Sequence, residues 1–500
     1  MIYEPTLPPV GTVRDWLDAR AASGGVGFVF PETGGTLDWR DLRDQARDIA
    51  RGLAALGVAK GESIAIIQPN GPQGVLSLFA ALYGGYRATM INLAAGPVAT
   101  GYALEHCDAQ FAIVHDDQLD LFAAVSPVGM RAVDLGALEP TGQLPDIVAS
   151  DHALLMYTSG TTGRPKGVVH THSSLLAGGW TSALAHELTD QDRGFCVLPI
   201  YHINGLCVTV MGALVSGGSL AMVPRFSASR FWDYAANAQV TWFSVVPTII
   251  SHLLHGKPSP DEATRARIRF GRSASSALAV ETQSAFEDRF GIPIVETMGL
   301  TETAAQILSN PLPPGVRKIG SPGKCFGNDV CILGPDLSLL PPDVEGEIAI
   351  RGPNVMLEYL KNPQATTDTF SGDWLRTGDL GRIDADGYVF VTGRLKELII
   401  KGGENVAPRE IDEVLYSHPA IVEAAAFARP CKRYGETIEA AVAIDEGFDV
   451  TADELMTLCR DRLGAFKSPD QIHITTELPK GPSGKIQRLK LAELLPVASP

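Results

Sequence analysis

Residues 158–167 read TSGTTGRPKG. Glycines such as Gly160 let backbone N–H groups come close to a ligand, the hydroxyls of Thr158, Ser159, Thr161 and Thr162 donate from the side, and the Lys166 ammonium adds a compact positive charge. Together these suit a chain of phosphates. A solvated surface turn, the ordinary fate of a Gly/Ser/Thr segment, has no need of that lysine and those hydroxyls together. The pattern GxxxxGK[ST] cannot be laid over GTTGRPKG, so this is not a Walker A loop. Four other residues could do chemistry but read blandly alone: Lys485 as a surface lysine, Asp379 as a turn aspartate, Glu302 as a helix-start carboxylate and His202 as a structural histidine.

A phosphate loop needs a frame to hold it. From Thr36 onward, apolar residues recur at helical spacing through LDWRDLRDQARDIARGLAALG, switch to the short run SIAII, and return to helical spacing. GFCVLPI, SLAMVP, VTWFSVVP and IPIVETMG continue the alternation, which predicts an α/β domain with largely buried strands. After about residue 325, VCILGPD, GEIAIRG and GYVFVTGR are short β-rich runs between turn residues and predict a β-rich subdomain. The remainder reads as a compact α+β unit, with the boundary near Lys396 dividing the chain into residues 1–395 and 396–500.

The chain has 500 residues, more than one hydrophobic core usually organises. Lys+Arg 41 against Asp+Glu 57 gives 41 − 57 = −16, which argues against a broad surface for nucleic acid or anionic lipid and favours small-molecule partners. Seven cysteines are scattered with no CxxC pair, as suits a reducing cytoplasm, and the N-terminal residues carry no export signal. Residues 195–224 contain no Asp, Glu, Lys or Arg. Pro199, His202, Asn204 and four glycines interrupt the stretch, so it is expected to form a buried helix followed by the strand SLAMV rather than a membrane span.

Five further segments follow the loop in order: LPIYHINGL, VETMGLTETA, DWLRTGDLG, GRLKELIIKGGENVAP and PKGPSGKIQR. The set resembles the adenylate-forming superfamily, which includes acyl-CoA synthetases, luciferases and peptide-synthetase adenylation domains. The resemblance spans about Thr36 to Arg488. It implies a large N-terminal domain of αβαβα layers plus a β-rich subdomain, joined to a small mobile α+β C-terminal domain. It also implies two half-reactions: a carboxylate attacks the α-phosphorus of ATP to give an acyl-adenylate and pyrophosphate, then the thiol of coenzyme A displaces AMP.

Carried over by motif, Ser159, Thr161, Thr162 and Lys166 hold the β- and γ-phosphates, Thr158 and Gly160 belong to the same ATP-binding loop, and Thr301 contacts the α-phosphate. Glu302, with Thr161, positions Mg²⁺, a cation that takes oxygen ligands. Asp379 accepts from the ribose hydroxyls, and Arg394 with it serves the nucleotide. Adenine lies between the backbone of Ser275, Ser276 and Ala277 and the Thr297–Met298–Gly299 segment, where Met298 replaces the usual tyrosine and weakens stacking. Lys485 bridges the carboxylate and α-phosphate. Rotation about the hinge Lys396 exchanges Lys485 for Lys401, Gly402, Gly403 and Glu404, which line a pantetheine tunnel. Gly481 stands where the family usually has threonine.

His202 occupies the place of a residue that gates the carboxylate pocket, and no aspartate stands there to receive an amino group. TETAAQILSNPLPPGVRKIGSPG most resembles the oxalate:CoA ligase branch, which implies a short polar or anionic acid such as oxalate, sulfoacetate or malonate. Arg272, Ser273, Ser275 and His202 are candidate partners for that acid, with Ala305 standing where the oxalate enzymes carry histidine. An adenylation enzyme that loads a carrier protein, and a catalytically silent nucleotide-binding protein, are the two alternative readings.

Overall fold

The computed structural model describes residues 6–158, 165–431, 433–445, 447–481 and 485–496. The strand Ser63–Ile67 is buried at all five positions and pairs in parallel with Arg87–Met90 and Phe111–Val114. A strand covered on both faces loses its polar alternation, which is why SIAII reads as an apolar run. It belongs to a seven-stranded sheet that also contains the antiparallel hairpin His152–Thr158 and Lys166–Thr171, with Glu358–Tyr359 at its edge.

A nine-stranded sheet carries the second half of the alternation. Its parallel centre runs through Ser219–Met222, Arg193–Cys196, Trp242–Val245, Phe270–Ser273 and Ile294–Leu300, after which Ala305–Ser309 returns antiparallel. One apolar cluster contains residues of both sheets together with the helices Pro72–Gly84 and His172–Ala185, which are buried almost throughout. Helices apolar on every side belong between layers. The helix Trp39–Ala55 instead buries only Trp39, Leu42, Ala46, Ala50, Gly52 and Leu53, the stripe that its helical spacing predicts.

The uncharged stretch after Arg193 folds as π-helical turns Asn204–Met211, continues as Gly212–Ser216, stops at left-handed Gly217 (φ 84°), and enters the strand Ser219–Met222. Helix followed by strand is what the Gly217-Gly218 break predicts. Among the described residues no helix is long and apolar enough to cross a membrane.

The β-rich expectation corresponds to the antiparallel strands Asp329–Leu333, Gly346–Arg351, Trp374–Ile383 and Val389–Arg394. Beyond them, Ile399–Lys401, Glu404–Val406, Ile421–Cys431, Gly435–Ile444 and Gln471–Thr475 form a separate five-stranded sheet. Its core, built around Ile399, Ile411, Leu415, Val442 and Leu455, is distinct from the clusters of the preceding residues. Gly402 (φ 60°) and Gly403 (φ 89°) sit between the paired Lys401 and Glu404, so KGGEN is a two-residue hairpin that needs left-handed backbone at both positions. Lys396 is exposed in a turn between the two bodies.

Candidate active site

The parallel strands Arg193–Cys196 and Ile294–Leu300 run at their C-terminal ends into LPIYHINGL and the GLTET segment, the end at which open α/β folds usually bind ligands. Thr158 and Lys166 are cross-strand partners at the end of their hairpin, so the two flanks of the phosphate loop are zipped together. Ser159, Gly160, Thr161 and Thr162 lie outside the described residues.

The GLTET segment is held one carbonyl at a time. Thr301 O accepts from His170 Nε2 (2.7 Å), Glu302 O from the Met356 amide (2.8 Å), and Thr303 O from Asn354 Nδ2 (2.8 Å). The chain then turns through two left-handed residues, Ala304 (φ 45°) and Ala305 (φ 77°). A Cβ on Gly299 would lie 1.8 Å from Ala305 O, so only glycine permits this reversal. Non-glycine residues in such backbone concentrate where a structure holds a functional group in place.

Glu302 is fixed at its side chain as well. Tyr359 Oη donates to Glu302 Oε1 at 2.7 Å, and Lys166 Nζ lies over the same ring at 4.4 Å from its centroid. Burial, and then the Glu302 charge, raise the Tyr359 pKa, so the phenol stays a donor. Tyr359 thus ties the phosphate-loop lysine to the proposed magnesium carboxylate, and no motif pointed to it.

Glu302 Oε2 accepts no hydrogen bond among the described residues and Glu302 forms no ion pair there, leaving one oxygen for a cation. Among the described residues no three His, Cys, Asp or Glu side chains converge as metal ligands. That donor set fits an ion shared with a nucleotide: one carboxylate from the protein and phosphate oxygens from the ligand.

A cavity between the two bodies brings together Ser275, Ser276, Ala277, Thr297, Met298, Gly299, Asp379, Arg394 and Lys485. Asp379 and Arg394 face each other across the hairpin of Trp374–Ile383 and Val389–Arg394, with Arg394 Nε donating to Asp379 Oδ1 at 2.7 Å. Burial pushes the Asp379 pKa up, and Arg394 and Lys485 oppose it. Lys485 is the counterpart: burial and then Arg394 lower its pKa, while Glu397 and Asp379 support its charge. Its carbonyl accepts from the Gly481 amide at 2.7 Å. A Cβ at Gly481 would meet only the Gln487 side chain, at 3.5 Å and beyond, and the Lys485 carbonyl at 3.6 Å, so glycine is not sterically required there.

Glu296 lines the same cavity and had not been singled out. Leu278 N–H donates to its Oε1 (3.2 Å), its Oε2 is buried without a partner among the described residues, and burial raises its pKa. The clue in the sequence was an acid within the apolar run IPIVE.

Of the acid-binding candidates, Ser275 lines this cavity and Arg272, Ser273, His202 and Ala305 do not. Arg272, 1% exposed, donates from Nη1 to Asn204 Oδ1 (2.8 Å) and Ser244 Oγ (3.1 Å), and from Nε to Gln306 Oε1 (3.1 Å). Asn204 Nδ2 in turn donates to Ser275 Oγ (3.2 Å), and Ser275 (φ 76°) is in the cavity wall. His202 Nε2 and Ser273 Oγ are buried without partners among the described residues. Burial holds His202 at a pKa of about 4, so it is neutral at pH 7. Ala305 is buried at the start of Ala305–Ser309. Lys401, Gly402, Gly403 and Glu404 lie away from the cavity, with Lys401 Nζ directed to Asp470 Oδ2 (3.3 Å).

The AMP-binding enzyme family matches residues 14–360, and the AMP-binding enzyme C-terminal domain matches residues 410–485. The chain is 44% identical to a sulfoacetate–CoA ligase of Cupriavidus necator over 93% of this chain and 94% of that one. It is 34% identical to an oxalate–CoA ligase of Arabidopsis thaliana over 89% and 91% of the two chains. The structure superposes on o-succinylbenzoate coenzyme A synthetase of Bacillus subtilis in complex with ATP and a magnesium ion, with a TM-score of 0.84 and 29% identity over 95% and 98% of the chains.

Proposed function

The chain belongs to the AMP-binding enzyme family, and on that footing we propose that it is an ATP-dependent, AMP-forming acid:CoA ligase that activates a small anionic acid in the cytoplasm. The observation that carries this reading is the meeting of Lys485 with Asp379, Arg394 and residues 275–277 and 297–299 in one cavity. The 44% identical sulfoacetate–CoA ligase and the oxalate–CoA ligase support the class of acid.

Bringing a carboxylate onto a triphosphate sets anion against anion, so the chain must supply fixed positive charge and oriented donors where negative charge builds up. Asp379 accepts from the ribose hydroxyls, and the hydrogen bond from Arg394 to its Oδ1 orients that carboxylate and opposes the upward pull of burial on its pKa. The Ser275–Ala277 backbone and Met298 enclose the base, and Glu296 Oε2 is an acceptor for its exocyclic amine. Lys166 and the hydroxyls of the phosphate loop hold the β- and γ-phosphates. Thr301 Oγ1, free of protein hydrogen bonds among the described residues, donates to the α-phosphate. Glu302, with Oε1 fixed by Tyr359, presents Oε2 to magnesium, which neutralises phosphate charge when bound.

Lys485 neutralises the attacking carboxylate and the α-phosphate oxygens together. Withdrawal of that lysine by rotation at Lys396, residues 1–395 against 396–500, then brings the glycine hairpin at residues 401–404 up to the adenylate for attack by the thiol of coenzyme A. His202, neutral and with Nε2 unpartnered among the described residues, is the candidate gate of the acid pocket. The test is ATP–pyrophosphate exchange with magnesium and a panel of short acids. Acid-dependent exchange is expected, and its absence with every acid removes the proposal.

A further inference from the structure

Arg409, the second residue of the helix Pro408–Tyr416, belongs to the C-terminal body but donates to the first one: Nη1 to Val391 O (2.6 Å) and Nη2 to Gly320 O (3.3 Å). Its Nε donates to Glu413 Oε1 at 2.8 Å, one turn along the same helix, which fixes the guanidinium from behind. Both acceptors across the boundary are main-chain oxygens, so they are set in the frame of the first body and do not follow the helix when it turns. A second contact crosses from Ser251 Oγ, in the helix Pro247–His255, to Val422 O in the strand Ile421–Cys431 (3.1 Å).

Each contact is tied to the segment that carries Lys485. Asp412, one turn after Arg409, receives Arg488 Nη2 on its Oδ2, and Arg488 is three residues beyond the lysine. Val422 adjoins Glu423, a buried carboxylate that pairs with Lys480 Nζ (2.7 Å) and accepts from the Leu478 amide (3.1 Å). Lys480 and Ile486 are paired across the lysine's segment. The contacts with the first body therefore reach Lys485 from both of its flanks in the chain. Charge-assisted hydrogen bonds are strong enough to decide which of two orientations is populated.

We propose that Arg409, with Ser251, is a positioning residue for the first half-reaction alone: it pins the C-terminal body in the orientation that seats Lys485 in the nucleotide cavity and lets go when the bodies rotate for thioester formation. The inference rests on the ligase reading above and adds to it the side chains that set the balance between the two half-reactions.

The test measures ATP–pyrophosphate exchange with sulfoacetate, oxalate or malonate, and thioester formation from coenzyme A and the chemically prepared adenylate of the same acid, for the wild type, Arg409→Met and Ser251→Ala. ATP affinity and thermal unfolding are measured alongside. Arg409→Met is expected to lower kcat of exchange by about 10- to 100-fold, the scale of a hydrogen bond to a charge, and Ser251→Ala by about 2- to 10-fold, the scale of a neutral one. ATP affinity is expected to be retained, and thioester formation from the supplied adenylate to be unchanged or faster. Unchanged exchange in Arg409→Met, or an equal loss of both half-reactions, overturns the inference. So does a matching loss of ATP affinity, which would make Arg409 a nucleotide ligand in the cavity wall. If Arg409→Met does not fold, unchanged exchange in Ser251→Ala overturns it. A wild type without exchange with any acid removes the ligase reading, and the inference with it.

Discussion

Tyr359→Phe removes one oxygen atom and leaves the ring under Lys166 in place. The lost contact is the 2.7 Å bond from the phenol to Glu302 Oε1, made where Tyr359 is 5% exposed. A hydrogen bond to a charged group is worth about 1.5–3 kcal/mol, or roughly one to two powers of ten in a rate or binding constant. We predict that kcat/KM for ATP in acid-dependent pyrophosphate release falls by that factor and that half-saturation moves to higher free magnesium. Glu302→Gln serves as the partner for a double-mutant cycle, because groups that act as one unit do not add. The double variant should lose little more than Glu302→Gln alone. Strictly additive losses, or a Tyr359→Phe enzyme with unchanged magnesium dependence, would refute the reasoning that the phenol acts through Glu302.

Lys485→Ala should reduce adenylate formation by about 100- to 1,000-fold, the scale of one lost transition-state donor, with ATP affinity by calorimetry nearly unchanged; full activity would remove the role assigned to Lys485. Lys396→Pro should spare pyrophosphate exchange and impair thioester formation, whereas equal loss of both half-reactions speaks against rotation at this turn. Met298→Tyr should tighten ATP binding by about 1 kcal/mol through stacking on the base, and an unchanged dissociation constant would mean that the side chain does not cover the ring. His170, His172 and His202 are held by burial at about 4, below the ordinary 6.5, so the unfolded chain binds more protons as pH falls below 6.5 and stability is lost from there toward 4. Each should cost about 1 kcal/mol at pH 5.5 relative to pH 7.5 in urea unfolding, a difference that a pH-independent midpoint would contradict.

What could be read from the sequence was what is local. SIAII is a buried strand because it is apolar at every position, and the Gly217-Gly218 break marks a helix end because only glycine takes left-handed backbone without strain. Asp379 and Arg394, fifteen positions apart, meet because a hairpin folds between them, and the motifs named both. Tyr359 was not legible: it is 57 positions from Glu302, and a lone tyrosine in VMLEYLKN gives no sign of the carboxylate it serves. His170, 131 positions from Thr301, was hidden in the same way. Arg272 was named for the acid, yet its protein partners, side chains from three other segments at Asn204, Ser244 and Gln306, were not legible.

In this protein acid activation is expected to proceed through an adenylate to a thioester. One incubation tests it most directly: the chain with magnesium, ATP, coenzyme A and sulfoacetate, oxalate or malonate, analysed by mass spectrometry. AMP, pyrophosphate and acyl-CoA are expected in equal amounts with at least one of these acids. Release of ADP and phosphate, or of AMP without any thioester, would contradict it.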